Sequence, residues 1–224
     1  MKRRTLLMSG SIIPAAFAAD ALAAPTSENV LKQTDPDFAA IEDYLLKVEM
    51  PKAGMSVVEI KETLYQCAPY IGITRVESAL EEVNAALKAL GQNPTPASQS
   101  TVNEKTRFDK GLAVQKGIFG AAIDKMHAIT PAELAYINKQ ALTAYCFGDF
   151  YTRNGLDLKA RELITFTAIM CLGGCEPQLR AHTGGNLSVG NTRQDLIDTI
   201  MVAMPYIGFP RTLNALAVVN EIAK

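Results

Sequence analysis

The stretch GMSVVEIKETLYQCAPYIGITRVESALEEVNA, residues 54–85, aligns without a gap on GNTRQDLIDTIMVAMPYIGFPRTLNALAVVNE, residues 190–221, at an offset of 136. Gly54 meets Gly190, Ser56 meets Thr192 and Glu59 meets Asp195, so a helix-capping pattern recurs. Pro69-Tyr70-Ile71-Gly72 meets Pro205-Tyr206-Ile207-Gly208, Arg75 meets Arg211, and Val83-Asn84 meets Val219-Asn220. Agreement at one offset that extends to cap and turn residues marks a duplicated helical pair. The duplication is partial. Ahead of Gly190 stands the segment Arg161–Val189 with Cys171, Cys175 and His182; ahead of Gly54 stands nothing comparable.

The rest of the chain reads as helix outward from this pair. A helix is expected over Asp35–Met50, with Asp35 as cap and Pro36 in the first turn. Ser56 to Glu59 opens a helix to about Ala68, Pro69 and Gly72 end it, and another runs to Leu90. Residues 91–106 (GQNPTPASQSTVNEKT) are polar and rich in Pro, Ser and Thr, which predicts a linker. Helices follow at about 107–127 and 131–145, the second opened by a capping box at Thr130-Pro131-Ala132-Glu133. Phe147 to Gly155 reads as a loop. The next helix, 157–172, is apolar nearly all round near its end and should be buried. Gly173-Gly174 breaks it, and a helix from near Cys175 fades by Gly190. Helices at about 192–204 and 210–222 complete an all-α chain, because no alternating strand pattern occurs.

The N-terminus reads as an address. Lys2, Arg3 and Arg4 precede an apolar run, Leu6 to Ala19, and Ala21-Leu22-Ala23 offers a cleavage site. The apolar run falls short of the ~20 residues that span a bilayer. The expected organisation is a signal peptide at 1–24, N-terminal helices with the partial first repeat at 25–90, a linker at 91–106 and the main helical domain at 107–224. Export by a general secretory or twin-arginine route would place the mature protein in the periplasm or outside the cell.

Composition bounds the chemistry. The 224 residues are 48% hydrophobic and carry a net charge of −1, which provides a core and no basic stripe for nucleic acid. Two histidines exclude a site built on several imidazole ligands, and neither a metal nor a cofactor is expected. Cys175, Gln178 and His182, three and then four residues apart, fall in a line on one helix face. Cys175 follows Gly-Gly at the helix start, where unpaired amides favour a thiolate. Cys175 and His182 lie two turns apart, roughly 10 Å by helix rise, so Gln178 or a water would have to bridge them, or His182 serves a different group. Cys67 and Cys146 read as small core residues.

The segment RELITFTAIMCLGGCEPQLRAHT (161–183), with GNT at 190–192 and PYIGFPRTLNA at 205–215, resembles the carboxymuconolactone decarboxylase family, which includes the alkylhydroperoxidase D proteins. The resemblance implies a helical bundle of the alkylhydroperoxidase D type and assembly as a homo-oligomer, a trimer or hexamer. It also implies roles. Cys175 matches the first cysteine of the peroxidase motif, His182 its histidine and Glu162 its glutamate, while Gln178 stands where the second cysteine would be. Cys171 is then the thiol left to resolve a sulfenic acid. On this reading the chain is a peroxiredoxin-like thiol enzyme that reduces hydroperoxides, with His182 and Glu162 moving protons. One alternative is a lyase decarboxylating a small lactone acid, with His182 as acid/base and Arg211 or Arg180 holding the carboxylate. Another is a non-catalytic oligomeric binding protein. Tyr206 and Asn214 are secondary candidates.

Overall fold

The computed structural model describes residues 54–224; the signal peptide expected at 1–24 and the helix expected at Asp35–Met50 lie outside the described residues. Every regular element among the described residues is helical: α1 (Val57–Ile71), α2 (Ile73–Ala89), α3 (Arg107–Phe119), α4 (Ala122–Ile129), a 3-10 turn (Ala132–Leu134), a π-helix (Tyr136–Tyr151), α5 (Leu158–Leu172), α6 (Glu176–Ser188) and α7 (Arg193–Ile222).

The two repeat copies share their capping and their kink. Ser56 Oγ accepts from the Glu59 amide at 3.3 Å, and the Glu59 carboxylate accepts from the Ser56 amide at 2.7 Å. Thr192 and Asp195 make the same reciprocal pair at 3.1 and 2.7 Å. Each copy then places a proline in its last turn and a left-handed glycine three residues on: Gly72 at φ 90° and Gly208 at φ 73°. A side chain would be strained at such a φ, so glycine marks both breaks. α7 is therefore two helices joined at Gly208, near the break expected there.

α5 is the hub, as its apolar girth predicts. Ile164 and Ala168 pack on Cys67 and Ala68 of α1. Phe166, Ile169 and Met170 pack on Leu196, Ile200 and Ala203 of α7 and Leu179 of α6. The two copies thus flank α5 within one chain. α1 is also pinned to α5 by charge. Glu62, 1% exposed, accepts from Arg153 Nε and Nη2 at 2.8–3.0 Å and from Arg161 Nη2 at 3.1 Å. Arg161 is fully buried and also donates to Gln66 Oε1 and to the carbonyls of Arg153 and Asn154. Burial lowers its pKa, and Glu62 opposes that shift.

Three local expectations differ from the structure. The single helix at 107–127 is two, broken where Gly120 takes φ 60°. The capping box at Thr130 does not form, because the Thr130 hydroxyl turns back to the Met126 carbonyl at 2.6 Å. The α-helix to 145 and the loop from Phe147 are instead one π-helix to Tyr151, since burying Cys146, Phe147 and Tyr151 keeps the chain coiled against α3. Residues 91–106 form no helix but are strapped to the body. The Asn154 amide donates to Gln99 O at 2.9 Å, and Thr101 Oγ1 to Thr152 O at 2.7 Å.

The π-helix meets α3 backbone to backbone. A Cβ at Gly148 would strike the Arg107 carbonyl, and one at Gly111 would strike the Thr143 carbonyl and come within 2.6 Å of the Gly148 nitrogen. Gly148→Ala must therefore push the two helices apart. A loss of about 1–3 kcal/mol is expected from overpacking of this kind, read as a lower urea midpoint.

Candidate functional site

The site grows from the contact between α5 and α6. Glu162 projects from α5 and is fully buried; His182 projects from α6 and is 8% exposed. Their side chains meet at 2.9 Å, His182 Nδ1 to Glu162 Oε2. Asn186 locks the two helices at this level by donating to the carbonyls of Glu162 (3.0 Å) and His182 (2.7 Å). Asn191, from the turn before α7, donates in turn to Asn186 Oδ1 at 2.8 Å. The imidazole is held edge-on between two rings, Tyr70 at 5.4 Å and Phe119 at 5.3 Å between centroids.

The carboxylate has a second donor. Tyr151 Oη gives its hydrogen to Glu162 Oε1 at 2.7 Å. Tyr151 and Tyr70 are both held well above the ordinary tyrosine pKa, chiefly by burial and also by nearby negative charge, so both stay protonated. With its one hydrogen spent on Glu162, the Tyr151 oxygen accepts from Tyr70 at 3.1 Å and from Thr165 at 2.8 Å. Cys146 Sγ donates to Tyr70 Oη at 3.3 Å. The donors therefore all point one way: Cys146 to Tyr70 to Tyr151 to Glu162. Glu162, at the end of that chain, engages His182 Nδ1 with its other oxygen and leaves Nε2 as the atom open to chemistry. Among the described residues Nε2 makes no hydrogen bond, and it is not one of the fully buried unpartnered atoms.

The other residues singled out in the sequence lie around this core. Cys175 is the N-cap residue of α6 and half-buried; its thiol takes no cap hydrogen bond and instead points to the Gly173 carbonyl at 3.6 Å. Gln178 is exposed and bridges nothing between Cys175 and His182. All four cysteines are free thiols. Burial raises the Cys171 pKa, with Arg211 opposing, and it pushes Cys67 and Cys146 up to about 12. Arg211 is exposed, lies against Gly173 and has no acidic partner among the described residues. With Asn214, Glu176, Leu179 and Cys175 it lines a cleft of about 10 Å3, room for one water. Arg180 is taken up by a surface pair with Glu221 at 2.9 Å. Tyr206 is exposed, whereas its repeat counterpart Tyr70 reaches the histidine. Among the described residues no three His, Cys, Asp or Glu side chains gather as a metal site requires.

Tyr70, Tyr151, Cys146 and Phe119 were not singled out by sequence reasoning. The only signal for Tyr70 was the repeat, which made it the equal of Tyr206. A further residue is set by space. A Cβ on Gly185 would sit 2.5 Å from Glu162 Oε2 and 3.1 Å from the Phe119 ring, so glycine is what leaves room for the carboxylate.

Residues 138–221 match the model of the carboxymuconolactone decarboxylase family. Over 127 residues the chain is 26% identical to a nitrosuccinic acid decarboxylase of Metarhizium robertsii, covering 56% of this chain and 88% of that protein. Over 123 residues it is 24% identical to a 4-carboxymuconolactone decarboxylase of Acinetobacter baylyi, covering 55% and 91%. A 77-residue segment is 35% identical to an uncharacterized 15.0 kDa protein of Paracoccus denitrificans, covering 34% and 58%. The likeness to the carboxymuconolactone decarboxylase family thus rests on the segment 138–221, which holds most of the π-helix, Glu162 and His182.

Two outcomes follow from the geometry. In native protein at pH 8, alkylation mapped by mass spectrometry should mark Cys175 first and Cys171 more slowly. Cys67 and Cys146, buried and pushed up to about 12, should stay unmodified until the chain unfolds. Gly185→Ala should displace the Glu162 carboxylate, and the deshielded Nδ1–H proton of His182 should then vanish from the NMR spectrum while the fold persists.

Proposed function

We propose that this member of the carboxymuconolactone decarboxylase family is a lyase that decarboxylates a small, electronically activated carboxylic acid, with His182 as the proton donor. The observation that carries the reading is the buried Glu162–His182 pair, Nδ1 engaged at 2.9 Å and Nε2 free. Loss of CO2 leaves the C–C electron pair on carbon, delocalised into a neighbouring electron-withdrawing group. The Nε2–H of the imidazolium delivers a proton to that carbanion, and water then reprotonates the ring. Glu162 compensates the imidazolium charge, and Tyr151 with Asn186 keeps the pair in register. Such positioned acid–base groups typically contribute 10²–10⁴-fold. Arg211, exposed beside the cleft and without an acid partner, is the group that would meet a substrate carboxylate; Arg180 is committed to Glu221.

The decarboxylases among the relatives support this reading over thiol peroxidation. So does the local geometry. Gln178 supplies no second thiol, and the Cys175 sulfur takes no amide hydrogen bond that would favour a thiolate. The same proposal includes homo-oligomer assembly, since Met201, Val202, Phe209 and Leu213 of α7 stand exposed together on one segment. Cleavage of the leader would place the enzyme in the periplasm or outside the cell.

The test is CO2 release from nitrosuccinate, 4-carboxymuconolactone and related small acids. Peroxide reduction with a dithiol donor is run in parallel. His182→Ala should lose ~10²–10⁴-fold in kcat, in line with removal of an acid–base group. Glu162→Gln should lose less, and Cys175→Ser should stay within a few-fold of native. Hydroperoxide turnover that disappears in Cys175→Ser, with no acid decarboxylated, would overturn the lyase reading in favour of the thiol enzyme.

A further inference from the structure

A cavity of about 460 Å3 opens away from His182, between α1, α2 and the strapped coil at 94–99, a size in the range of small-ligand sites. Its charges do not balance. Among the described residues Glu62 is the only carboxylate on its wall, and it is already shared by Arg153 and by the fully buried Arg161 behind it. Lys61, also on the wall, is 4% exposed. Its ammonium finds only the side-chain oxygen of Asn84 and no carboxylate among the described residues. Burial depresses its pKa, as it must for a cation with no counter-charge. Lys88 adds a further cation at the exposed rim. One acid thus faces two guanidinium groups and a buried ammonium. Two positive charges are left uncompensated around a polar, ligand-sized space. Buried charge without a partner is costly, and such groups are ordinarily paired.

We propose that this cavity binds a small dianionic oxyanion, a phosphate or a dicarboxylate, whose negative groups lie against Lys61 and Arg153 with Lys88 closing over them. The two guanidinium groups hold Glu62 in place, so the carboxylate orients the cations and does not block the site. Tyr65, stacked 5.1 Å from the Arg153 guanidinium, fixes the far wall. The site is also joined to the histidine by hydrogen bonds. Arg161 donates to Gln66, Gln66 to Thr165, and Thr165 to Tyr151, which donates to Glu162. The proposal stands independently of the reaction catalysed at His182.

The test is calorimetric titration of the mature full chain at low ionic strength, in a cationic buffer, with inorganic phosphate and with succinate as separate probes. Saturable binding of one probe per chain is expected. Lys61→Met should weaken it at least tenfold, Lys88→Ala several-fold, and His182→Ala not at all. The probe that binds more tightly identifies which oxyanion the site takes. No saturable binding of either probe, or binding unchanged in both Lys61→Met and Lys88→Ala, would overturn the proposal. Binding lost in His182→Ala but kept in the lysine variants would also overturn it, by placing the anion at the histidine. Lys88→Ala changes only an exposed rim residue, so the test holds even where Lys61→Met does not fold.

Discussion

Glu162 is the residue on which the rest of this structure converges. A carboxylate with no exposure to solvent survives only if hydrogen-bond donors surround it. His182 and Tyr151 fill that need, one per oxygen, and each is drawn from a different element. Meeting it fixes the approach of α6 to α5, ties the end of the π-helix to both, and brings Tyr70 of α1 into line behind Tyr151. The apolar packing around α5 supplies most of the burial. The carboxylate decides the register in which those helices come together.

The same constraint explains how the partial duplication is used. Both copies fold as a capped helix, a proline in the last turn, a glycine at positive φ and a second helix. Placed on opposite sides of α5, they do different work. The first copy turns Tyr70 inward to the histidine and carries Glu62 to Arg153 and the buried Arg161. The second carries Arg211 and Asn214 to the cleft beside Cys175. A copy that lacks a chemical segment of its own still completes the site, because it supplies one wall of it.

Much of this was legible in the sequence, and the limits have physical causes. The caps at Ser56 and Thr192, the buried α5 and the Gly-Gly break depend on residues within one turn of each other, and local chemistry decides them. The pair Glu162 and His182 was legible through family resemblance, and Glu162 is also one of the few acids in an apolar helix. The π-helix was not legible. Apolar residues at Cys146, Phe147 and Tyr151 fit more than one winding, and the wider one is set by the close crossing of Gly111 and Gly148, a contact between segments far apart in the chain. Tyr70 was hidden for a related reason: in the alignment it is indistinguishable from Tyr206, and only the packing around α5 tells the inward copy from the outward one. Gln178 illustrates the reverse error. Helical spacing put it in line with Cys175 and His182, but α6 buries one side only, and Gln178 lies over solvent.

The direction of the hydrogen-bond chain bears on which chemistry the fold can support. Cys146, Tyr70 and Tyr151 all donate toward Glu162, and burial keeps each of them protonated. Every hydrogen in that chain points toward Glu162, so the carboxylate is held in place by donors carried on α1 and the π-helix. Its other oxygen faces His182 Nδ1, which leaves Nε2 as the ring atom able to reach a bound molecule. On the proposed lyase reading, Nε2 is the atom that delivers a proton to carbon. Activation of a thiol would call for the opposite: a neutral imidazole beside the sulfur, accepting its proton. Cys175 sits two helical turns from His182, with its thiol turned to a backbone carbonyl, outside the reach of such a transfer. The geometry thus places no base beside the Cys175 sulfur, and the position of His182 suits the proposed lyase chemistry better than thiol activation.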